Sequence, residues 1–432
     1  MNVNFSETIK RRALDIGFDL AGIAPAAVWQ DLEISRQWVE AGYGGEMAYL
    51  SNPKRHDPRR VLPSIQSVVC VGLVYNAPAP YSTEAEQAHS APAGKQCGSE
   101  TRAWISRYAW GEDYHKVMRT RLERLRKEIE MLAPQAETRV YVDTGPVVER
   151  AFARYSGIGW TGKNTCLINE RAGSWFFLGV ILTNLVIPAD MPAADRCGSC
   201  TRCLQACPTS ALVKPYVMDA SRCVAYLTIE LRGAIAETLR AGIGSNVFGC
   251  DICQDVCPWN WPHPTTHQHD TGSDSRRRAA VTRVPEFLPR EAPMDAGRSN
   301  TSELRSPETP RPFRGSAQAA ELKIGAIMDT LSAQTSGEPV HSFSLFNPLL
   351  QDLASLSEQD FTRAFSRSPV KRTKYRGWLR NLCVAMGNSA DPSLIPWLEQ
   401  ASKHADPVIR EHAVWAVSRL RDAPSLQDQS TR

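Results

Sequence analysis

Residues 197–208 read CGSCTRCLQACP and determine the architecture of the middle of the chain. The cysteines follow the spacing C-x2-C-x2-C-x3-C-P, in which three thiolates surround one iron–sulfur cube and the fourth reaches a second cube. A second run, CDICQDVCP at residues 250–258, has one cysteine fewer, and Cys223 can supply the missing ligand. These eight cysteines therefore predict two [4Fe–4S] clusters and an electron-transfer protein or reductase.

The ferredoxin pattern implies that each run gives one ligand to the other cluster. We assign four ligands to the first cluster: Cys197, Cys200, Cys203 and Cys257. Four others are assigned to the second: Cys207, Cys223, Cys250 and Cys253. Structural zinc is the alternative, because C-x2-C pairs also bind zinc. Zinc sites need neither the Cys-Pro endings nor the C-x2-C-x2-C triple, so the spacing favours clusters.

Length and composition allow two or three domains in these 432 residues. Charged residues at Glu7, Lys10 and Arg11 interrupt any apolar signal-peptide core, and no apolar run is long enough to cross a membrane. Without a signal peptide, the C-x2-C spacing favours metal binding in a reducing cytoplasm over disulfides. We interpret the four cysteines outside the block as buried or loop thiols: Cys70, Cys97, Cys166 and Cys383.

Mixed helix and strand patterns precede the cysteine block. Apolar residues recur in steps of three and four over residues 114–132, which predicts a helix with one buried face. Short runs rich in β-branched and aromatic residues predict buried strands at 67–75, 139–143 and 175–183. Residues 77–101 are rich in Pro, Ala, Ser and Glu, which predicts a flexible insertion.

Helical patterns return towards the end of the chain. Residues 263–316 have little periodicity, so we expect a linker with one docked segment at 284–288. Helices are predicted at 375–386, 392–402 and 407–420, and Asp-Pro pairs start the last two. Their Ala-rich faces suggest a fragment of a helical repeat.

One stretch of the first half stands out as a candidate reactive end for the clusters. In VDTGPVVER (142–150), Asp143 follows a strand and precedes Gly-Pro and a short helix. Carboxylates at such strand-to-helix edges are common in active sites. The alternative is that Asp143 only caps the helix, and the sequence alone does not decide between the two.

Several motifs resemble the epoxyqueuosine reductase family. They are WGEDYH (110–115), VDTGPVVER (142–150), GWTGKNT (159–165), the cysteine block with PT at 208–209 and PY at 215–216, YLTIE (226–230), GCD (249–251), and RN, GN, REH and WA at 380–381, 387–388, 410–412 and 415–416. The resemblance covers most of residues 1–265 and 356–420. It implies a cobalamin-dependent enzyme with two [4Fe–4S] clusters, which removes the epoxide oxygen of epoxyqueuosine at the wobble position of tRNA.

The resemblance also implies an α+β fold and four segments. These are a nitroreductase-like cobalamin-binding catalytic module related to reductive dehalogenases at 1–190, a ferredoxin-like two-cluster module at 191–262, a partly flexible linker or insertion at 263–355, and α-helical HEAT-like repeats that bind tRNA at 356–432. Two features depart from the family pattern. Val180 stands where an acidic residue is expected, and the insertions at 77–101 and 263–316 are longer than usual.

Roles for individual residues follow from the same resemblance. Asp143 is expected to be the general acid that protonates the leaving oxygen, with a pKa raised by burial beside the corrin ring. The other residues expected around the corrin are Arg55, Lys163, Asn164, Ala225 and Asp251. Arg55 by itself would be interpreted as a surface charge.

A local basic patch suggests where tRNA binds, although the net charge of the chain is only +4. The candidates for phosphate contact are Arg232, Lys371, Arg372, Lys374, Arg376 and Arg380. The alternative for any one of them is a solvated helix start. We further expect an external electron donor, no membrane partner and a monomer in the cytoplasm.

Three other functions compete with this one. A reductive dehalogenase would share corrin and clusters but is exported, and the chain shows no twin-arginine signal. A simple ferredoxin-like carrier explains the cysteines but not the Asp143 stretch. An RNA-binding scaffold leaves the clusters unexplained.

Overall fold

The computed structural model describes residues 3–27, 30–89, 101–261, 280–293 and 342–422. Cys97, residues 90–100 of the expected insertion and most of the expected linker lie outside these residues. Within the described ranges, no helix has the length and apolar character needed to cross a membrane.

The helices lie in three regions of the chain. They are α1 Val3–Ile16, α2 Gln30–Glu40, α3 Ser82–His89, α4 Tyr114–Leu132, α5 Glu149–Tyr155, α6 Arg202–Ala206, α7 Val224–Ile229, α8 Glu237–Ile243, α9 Ile252–Asp255, α10 Leu350–Ser355, α11 Glu358–Ala364, α12 Lys374–Gly387, α13 Ile395–Ala401 and α14 Pro407–Asp422. The helix expected at 114–132 is present with the same bounds. The last three helices agree with the predicted segments to within a few residues.

The strands form one larger sheet and several two-stranded ladders. They are β1 Leu20–Pro25, β2 Ser67–Val74, β3 Trp104–Ile105, β4 Thr138–Tyr141, β5 Trp160–Thr161, β6 Leu167–Ile168, β7 Phe176–Thr183, β8 Leu212–Lys214, β9 Val217–Met218, β10 Asn246–Phe248, β11 Glu291–Pro293 and β12 Ser342–Ser344. The larger sheet has the order β1-β2-β7-β4, and all its pairings are antiparallel. It contains the three strands predicted from the sequence.

Strand β2 is buried along its whole length because both faces of the sheet are covered. Val69 and Val71 belong to a core with residues of α1 and α4. Val68 and Cys70 point to the opposite face, where they share a core with Phe152 of α5. Since side chains alternate along a strand, a fully apolar run is the pattern expected of a covered sheet.

Strand β7 departs from the family pattern at Val180. Its side chain is fully buried in the core on the α5 side of the sheet. An acidic side chain here would lose its hydration without a partner, so valine is the residue that this core requires. The departure therefore concerns packing.

Two segments expected to be flexible or linking are partly ordered. In the 77–101 insertion, residues 82–89 form α3, and the backbone N–H of Ser82 donates to Asp255 at 2.9 Å. In the segment expected to be a linker, β11 pairs with β12. Leu350 and Leu353 of α10 are buried in the same core as the C-terminal helices, so residues 342–355 belong to that unit rather than to a linker.

The docked segment expected at 284–288 lies beside the N-terminal sheet. Residues 285–287 form a 3-10 turn. Phe287 is 3% exposed, and its ring centroid lies 5.0 Å from that of Phe177 in β7. Gly111 permits this contact, because a Cβ there would lie 2.2 Å from the Glu286 carbonyl oxygen.

The cysteine-rich region is joined to both neighbours. Strand β10 pairs in parallel with β3, which precedes α4 in the N-terminal half. On its other side, Asn381 of α12 donates to the carbonyls of Thr228 and Val247 at 2.8 and 2.9 Å. The cluster loops are thus held between the sheet and the C-terminal helices.

Candidate active site and cluster-binding loops

The structure arranges the eight cysteines in two groups. Cys257 packs with Cys197 in one small core, and its thiol also interacts electrostatically with that of Cys203. Cys203 in turn neighbours Cys197 and Cys200. These contacts bring together the four residues assigned to the first cluster from the sequence.

The second group forms around Cys223. The thiol of Cys223 interacts electrostatically with that of Cys207. The thiols of Cys250 and Cys253 interact with that of Cys223 in the same way. Cys257 and Cys253 are only four residues apart, yet they face different groups. Each cysteine run therefore places one residue in the other group: Cys207 from the first run and Cys257 from the second.

Backbone N–H groups point at the thiols, as an anionic cluster requires. The N–H of Ala211 donates to Cys207 Sγ at 3.2 Å. The N–H groups of Lys163 and Ala225 face Cys197 and Cys223, respectively. Four sulfurs with N–H donors around them fit a [4Fe–4S] cluster, whose charge such hydrogen bonds stabilise.

The hairpin formed by β5 and β6 holds both cluster loops. Lys163 Nζ donates to the carbonyls of Gly198 and Cys200 at 2.6 and 2.9 Å. Asn164 Nδ2 donates to the carbonyl of Cys253 at 3.1 Å. Both side chains were expected to face the corrin, but these bonds direct them to the cluster loops.

Asp251 also differs from the expectation of a corrin contact. Its side chain is 2% exposed, and its carboxylate accepts bonds from Trp104 Nε1, Ser106 Oγ and the Arg107 N–H. These bonds join the loop that carries Cys250 to the segment around β3. Both oxygens already accept hydrogen bonds from this segment, so the carboxylate positions the loop.

Asp143 lies at the start of the loop between β4 and α5, in the left-handed conformation with φ of 54°. Tyr114 Oη donates to Asp143 Oδ2 at 2.8 Å, and His115 Nε2 lies 3.4 Å from the same oxygen. Arg372 Nη1 is 3.9 Å away. Half of the side-chain surface of Asp143 remains exposed, so the carboxylate is accessible to a substrate.

The charges around Asp143 favour its ionised form. Burial would raise the pKa of Asp143, but His115 and Tyr114, together with Arg372, hold it below its usual value. Burial would lower the pKa of His115, but Asp113 and Asp143 raise it to about 9. The expectation that the pKa of Asp143 is raised is therefore wrong in this structure. At neutral pH the proton of the pair resides on His115.

The Asp143 loop is braced from the other side by Arg55. Arg55 Nη1 donates to the carbonyl of Gly145 at 3.0 Å, so this residue is tied to the loop rather than free at the surface. Glu149, which starts α5, is 9% exposed, and its Oε1 has no hydrogen-bond partner among the described residues. Burial raises the pKa of Glu149 to about 8, and the charge of Asp143 adds to this effect.

Helix α7 connects the second cysteine group with Asp143. It begins directly after Cys223 and contains six residues, so it spans about 9 Å. At its end, Glu230 Oε1 accepts a bond from Arg372 Nε at 2.7 Å, and Arg372 in turn faces Asp143. A cofactor between α7 and the Asp143 loop would lie within electron-transfer reach of the second group.

Basic residues lie beside the space between α7 and the Asp143 loop, here called the opening. Arg232 Nη1 donates to the Thr373 carbonyl, and Arg376 donates back to the Arg232 carbonyl. Lys371 Nζ binds Asp113 at 3.0 Å, and Lys374 makes no ion pair with any residue in the described ranges. Lys371 and Arg372 also line a cavity of about 540 Å³ together with His115, Phe361 and Tyr375.

Arg380 was expected to contact phosphate, and the structure contradicts this. Its side chain is 1% exposed. The guanidinium donates to the carbonyls of Leu227, Leu231 and Gly233 at 2.6–2.8 Å. It satisfies one carbonyl group within α7 and two that follow the helix, and so joins α12 to the cysteine region.

No role was assigned to His115 from the sequence, and none to Cys166 beyond that of a buried or loop thiol. His115 lies in the WGEDYH motif. It follows Asp113, the N-cap residue of α4, by two residues, so a carboxylate is close to it in the sequence. That spacing was the available signal. Cys166 was interpreted as a buried or loop thiol, and it lies against Cys253 of the second group. Only the hairpin fold brings these two cysteines together.

Two family models match the chain. One is described as epoxyqueuosine reductase QueG, DUF1730, and matches residues 55–144. The other is a 4Fe-4S double cluster binding domain and matches residues 196–260. The first range contains Arg55, His115 and Asp143. The second contains all eight cysteines of the two groups.

Relatives match over nearly the whole chain. The epoxyqueuosine reductase of Pseudomonas aeruginosa is 35% identical over 421 residues, which is 96% of this chain and 94% of the relative. That of Xanthomonas campestris is 33% identical over 414 residues, 95% of each chain. A crystal structure of epoxyqueuosine reductase with an epoxyqueuosine-modified tRNA-Tyr stem loop gives a TM-score of 0.71 at 27% identity, covering 98% of this chain and 92% of that chain. The mixed α and β fold is that of the solved structures.

Proposed function

This chain belongs to the epoxyqueuosine reductase family, and we propose that it removes the epoxide oxygen of epoxyqueuosine at the wobble position of tRNA with electrons from two [4Fe–4S] clusters and cobalamin. The protein is an oxidoreductase. The observation that carries the proposal is the placement of Asp143, half-exposed and paired with His115, at the far end of α7 from the second cysteine group.

The residues present fit the cofactors that the family implies. Two groups of four thiols with N–H donors fit the clusters. The buried Oε1 of Glu149 has no partner among the described residues and lies near Asp143 and Arg55, so it leaves a polar atom beside the Asp143 loop for a bound group. When bound there, cobalamin would supply electrons to the epoxide, which no side chain can do. Arg55 and the backbone of Ala225 remain our candidates for its surroundings.

The protein's own contribution at this site is a proton. Breaking the C–O bond leaves negative charge on oxygen, and a positioned acid lowers the barrier by protonating it. Asp143 is within reach of the opening, and His115 holds the proton at neutral pH. We therefore propose that Asp143 delivers a proton that His115 supplies, while Tyr114 fixes the orientation of the carboxylate.

The pH dependence of turnover tests this proton route. Because the pKa of His115 is raised to about 9, the pair carries its proton below that pH and loses it above. We expect kcat to fall as pH rises through about 9. Asp113→Asn removes the first partner that raises the pKa of His115, so the fall should move to lower pH. A fall at the same pH in both proteins would exclude His115 as the proton source.

The basic residues near the opening suit the anticodon arm of tRNA. Phosphates bind Lys and Arg, and a wobble base must leave its stack to reach Asp143. Exposed ion pairs such as Lys371 with Asp113 contribute about 0–1 kcal/mol, so a phosphate can replace the carboxylate. Arg232, Lys371, Lys374 and Arg376 are the proposed contacts, and Arg372 lies between them and Asp143.

A double substitution of Lys371 and Lys374 by Ala should weaken tRNA binding. Each lost phosphate contact should also flatten the slope of log K against log salt by roughly 0.7–0.9. The measurement is the binding constant of the tRNA at several salt concentrations. Arg59→Ala is the control, since Arg59 is 62% exposed and its side chain pairs with Asp57 at the surface. An unchanged slope would remove these lysines from the tRNA contact.

The finer description of the fold is part of the same proposal. We propose that the sheet region is a nitroreductase-like module at 1–190, that residues 191–262 form a ferredoxin-like module and that the C-terminal helices are HEAT-like repeats for tRNA. Because the substrate is a tRNA, we also propose that the reaction takes place in the cytoplasm. We propose further that the protein acts as a monomer and receives its electrons from an external donor. Turnover of epoxyqueuosine-containing tRNA, but not of organohalides, distinguishes this function from dehalogenation.

A further inference from the structure

The first cysteine group lies next to a buried indole that has no hydrogen-bond acceptor. Trp160 opens β5 and is 2% exposed. Among the described residues, its Nε1 has no hydrogen-bond partner. A buried N–H without a partner costs about 1–3 kcal/mol, so such a group normally has an acceptor in the working protein.

The surroundings of Trp160 show which acceptor is available. Its ring packs in one small core with Cys197 and Cys257, both ligands of the first group. Trp259 packs edge-on against it, with ring centroids 4.9 Å apart, and fixes the plane of the indole. Sulfur is the acceptor available to the indole N–H in this core, because the other side chains that pack there, Ile168 and Trp259, offer no acceptor.

We propose that the indole N–H of Trp160 donates a hydrogen bond to Cys197 Sγ in the assembled first cluster and raises the reduction potential of that cluster. A donor stabilises the more negative, reduced state, and hydrogen bonds to the sulfurs are among the factors that set cluster potentials. Trp160 is thus a positioning residue that acts on electron entry and touches no substrate. The proposal rests on the two-cluster function proposed above.

The location of the first group explains why its potential matters. Its loop exposes Gly198, Ser199, Thr201 and Arg202, whereas the second group leads through α7 towards Asp143. Electrons from an external donor therefore reach the first cluster first. A cluster that is easier to reduce accepts electrons from a weaker donor, and Trp160 provides this without adding a charge.

The test is a redox titration of the anaerobically purified full chain, followed by electron paramagnetic resonance. Trp160→Phe keeps a ring in the core but removes the N–H. We expect one of the two cluster couples to become about tenfold harder to reduce, which is about 59 mV for one electron. The other couple should stay unchanged. Trp259→Phe is the matched control, because it makes the same change in the same core, keeps a ring that can pack edge-on against the indole and leaves the proposed donor in place.

The outcomes separate this proposal from the function on which it rests. If the wild-type chain holds no iron, the two-cluster function fails. If both clusters assemble and Trp160→Phe shifts no couple beyond the shift of Trp259→Phe, only the role of Trp160 fails. Should Trp160→Phe lose iron, Trp160→His, which keeps a ring N–H, must retain both clusters at nearly the wild-type potential. Loss of iron from that variant too would overturn the proposal.

Discussion

Asp143→Asn is expected to lower the rate of epoxide reduction by about 10²–10⁴-fold, the usual contribution of a positioned acid. The amide keeps the size of the side chain and can still accept the bond from Tyr114 Oη. Asparagine also tolerates the left-handed conformation found at this position, so the loop should keep its shape. What is lost is the capacity to pass a proton to the leaving oxygen.

The measurement is single-turnover conversion of epoxyqueuosine-containing tRNA by pre-reduced protein, together with iron content and tRNA affinity. Iron content and affinity should match those of the wild-type chain. Tyr114→Phe is the control, because it removes one hydrogen bond to Asp143 and leaves the acid in place, so it should cost far less. Wild-type rates in Asp143→Asn would show that Asp143 is not the acid.

The crossed cysteine pattern makes the second strong prediction. Cys257→Ala should destroy the first cluster, although Cys257 lies in the same run as two ligands of the second. It should therefore have the same effect as Cys200→Ala, with loss of about half of the iron. Cys253→Ala should instead match Cys223→Ala. All four variants should lose turnover, because each interrupts the path of electrons to Asp143.

Electron paramagnetic resonance of the reduced variants distinguishes the two clusters. The expected result is one remaining signal that is shared by Cys200→Ala and Cys257→Ala, and a different one shared by Cys223→Ala and Cys253→Ala. If Cys257→Ala and Cys253→Ala remove the same signal, the ligands are not crossed and each run holds its own cluster.

Most of the fold could be predicted from local sequence patterns. The helix at 114–132 has five buried residues at helical spacing, so periodicity alone locates it. Strand β2 is apolar on both faces because both faces of the sheet are covered. The cluster loops can likewise be predicted from the cysteine spacing, because two-residue gaps place consecutive thiols around one cube.

The missed contacts all depend on tertiary structure. Arg380 looks like part of a basic run, but it is buried and satisfies three carbonyls within and just after α7. Lys163 and Asn164 were expected around the corrin, and the β5–β6 hairpin turns both side chains towards the cluster loops. The pKa of Asp143 was expected to rise with burial, and no local pattern predicts that His115 lies beside it.

The most direct test of the proposed chemistry uses one anaerobic preparation of the full chain. It is loaded with iron, sulfide and cobalamin, reduced, and given tRNA that contains epoxyqueuosine. We predict that the recovered nucleoside is queuosine, one oxygen atom lighter, and that omission of the reductant prevents the reaction. Fully loaded and reduced protein that binds this tRNA but returns epoxyqueuosine unchanged would contradict the proposed function.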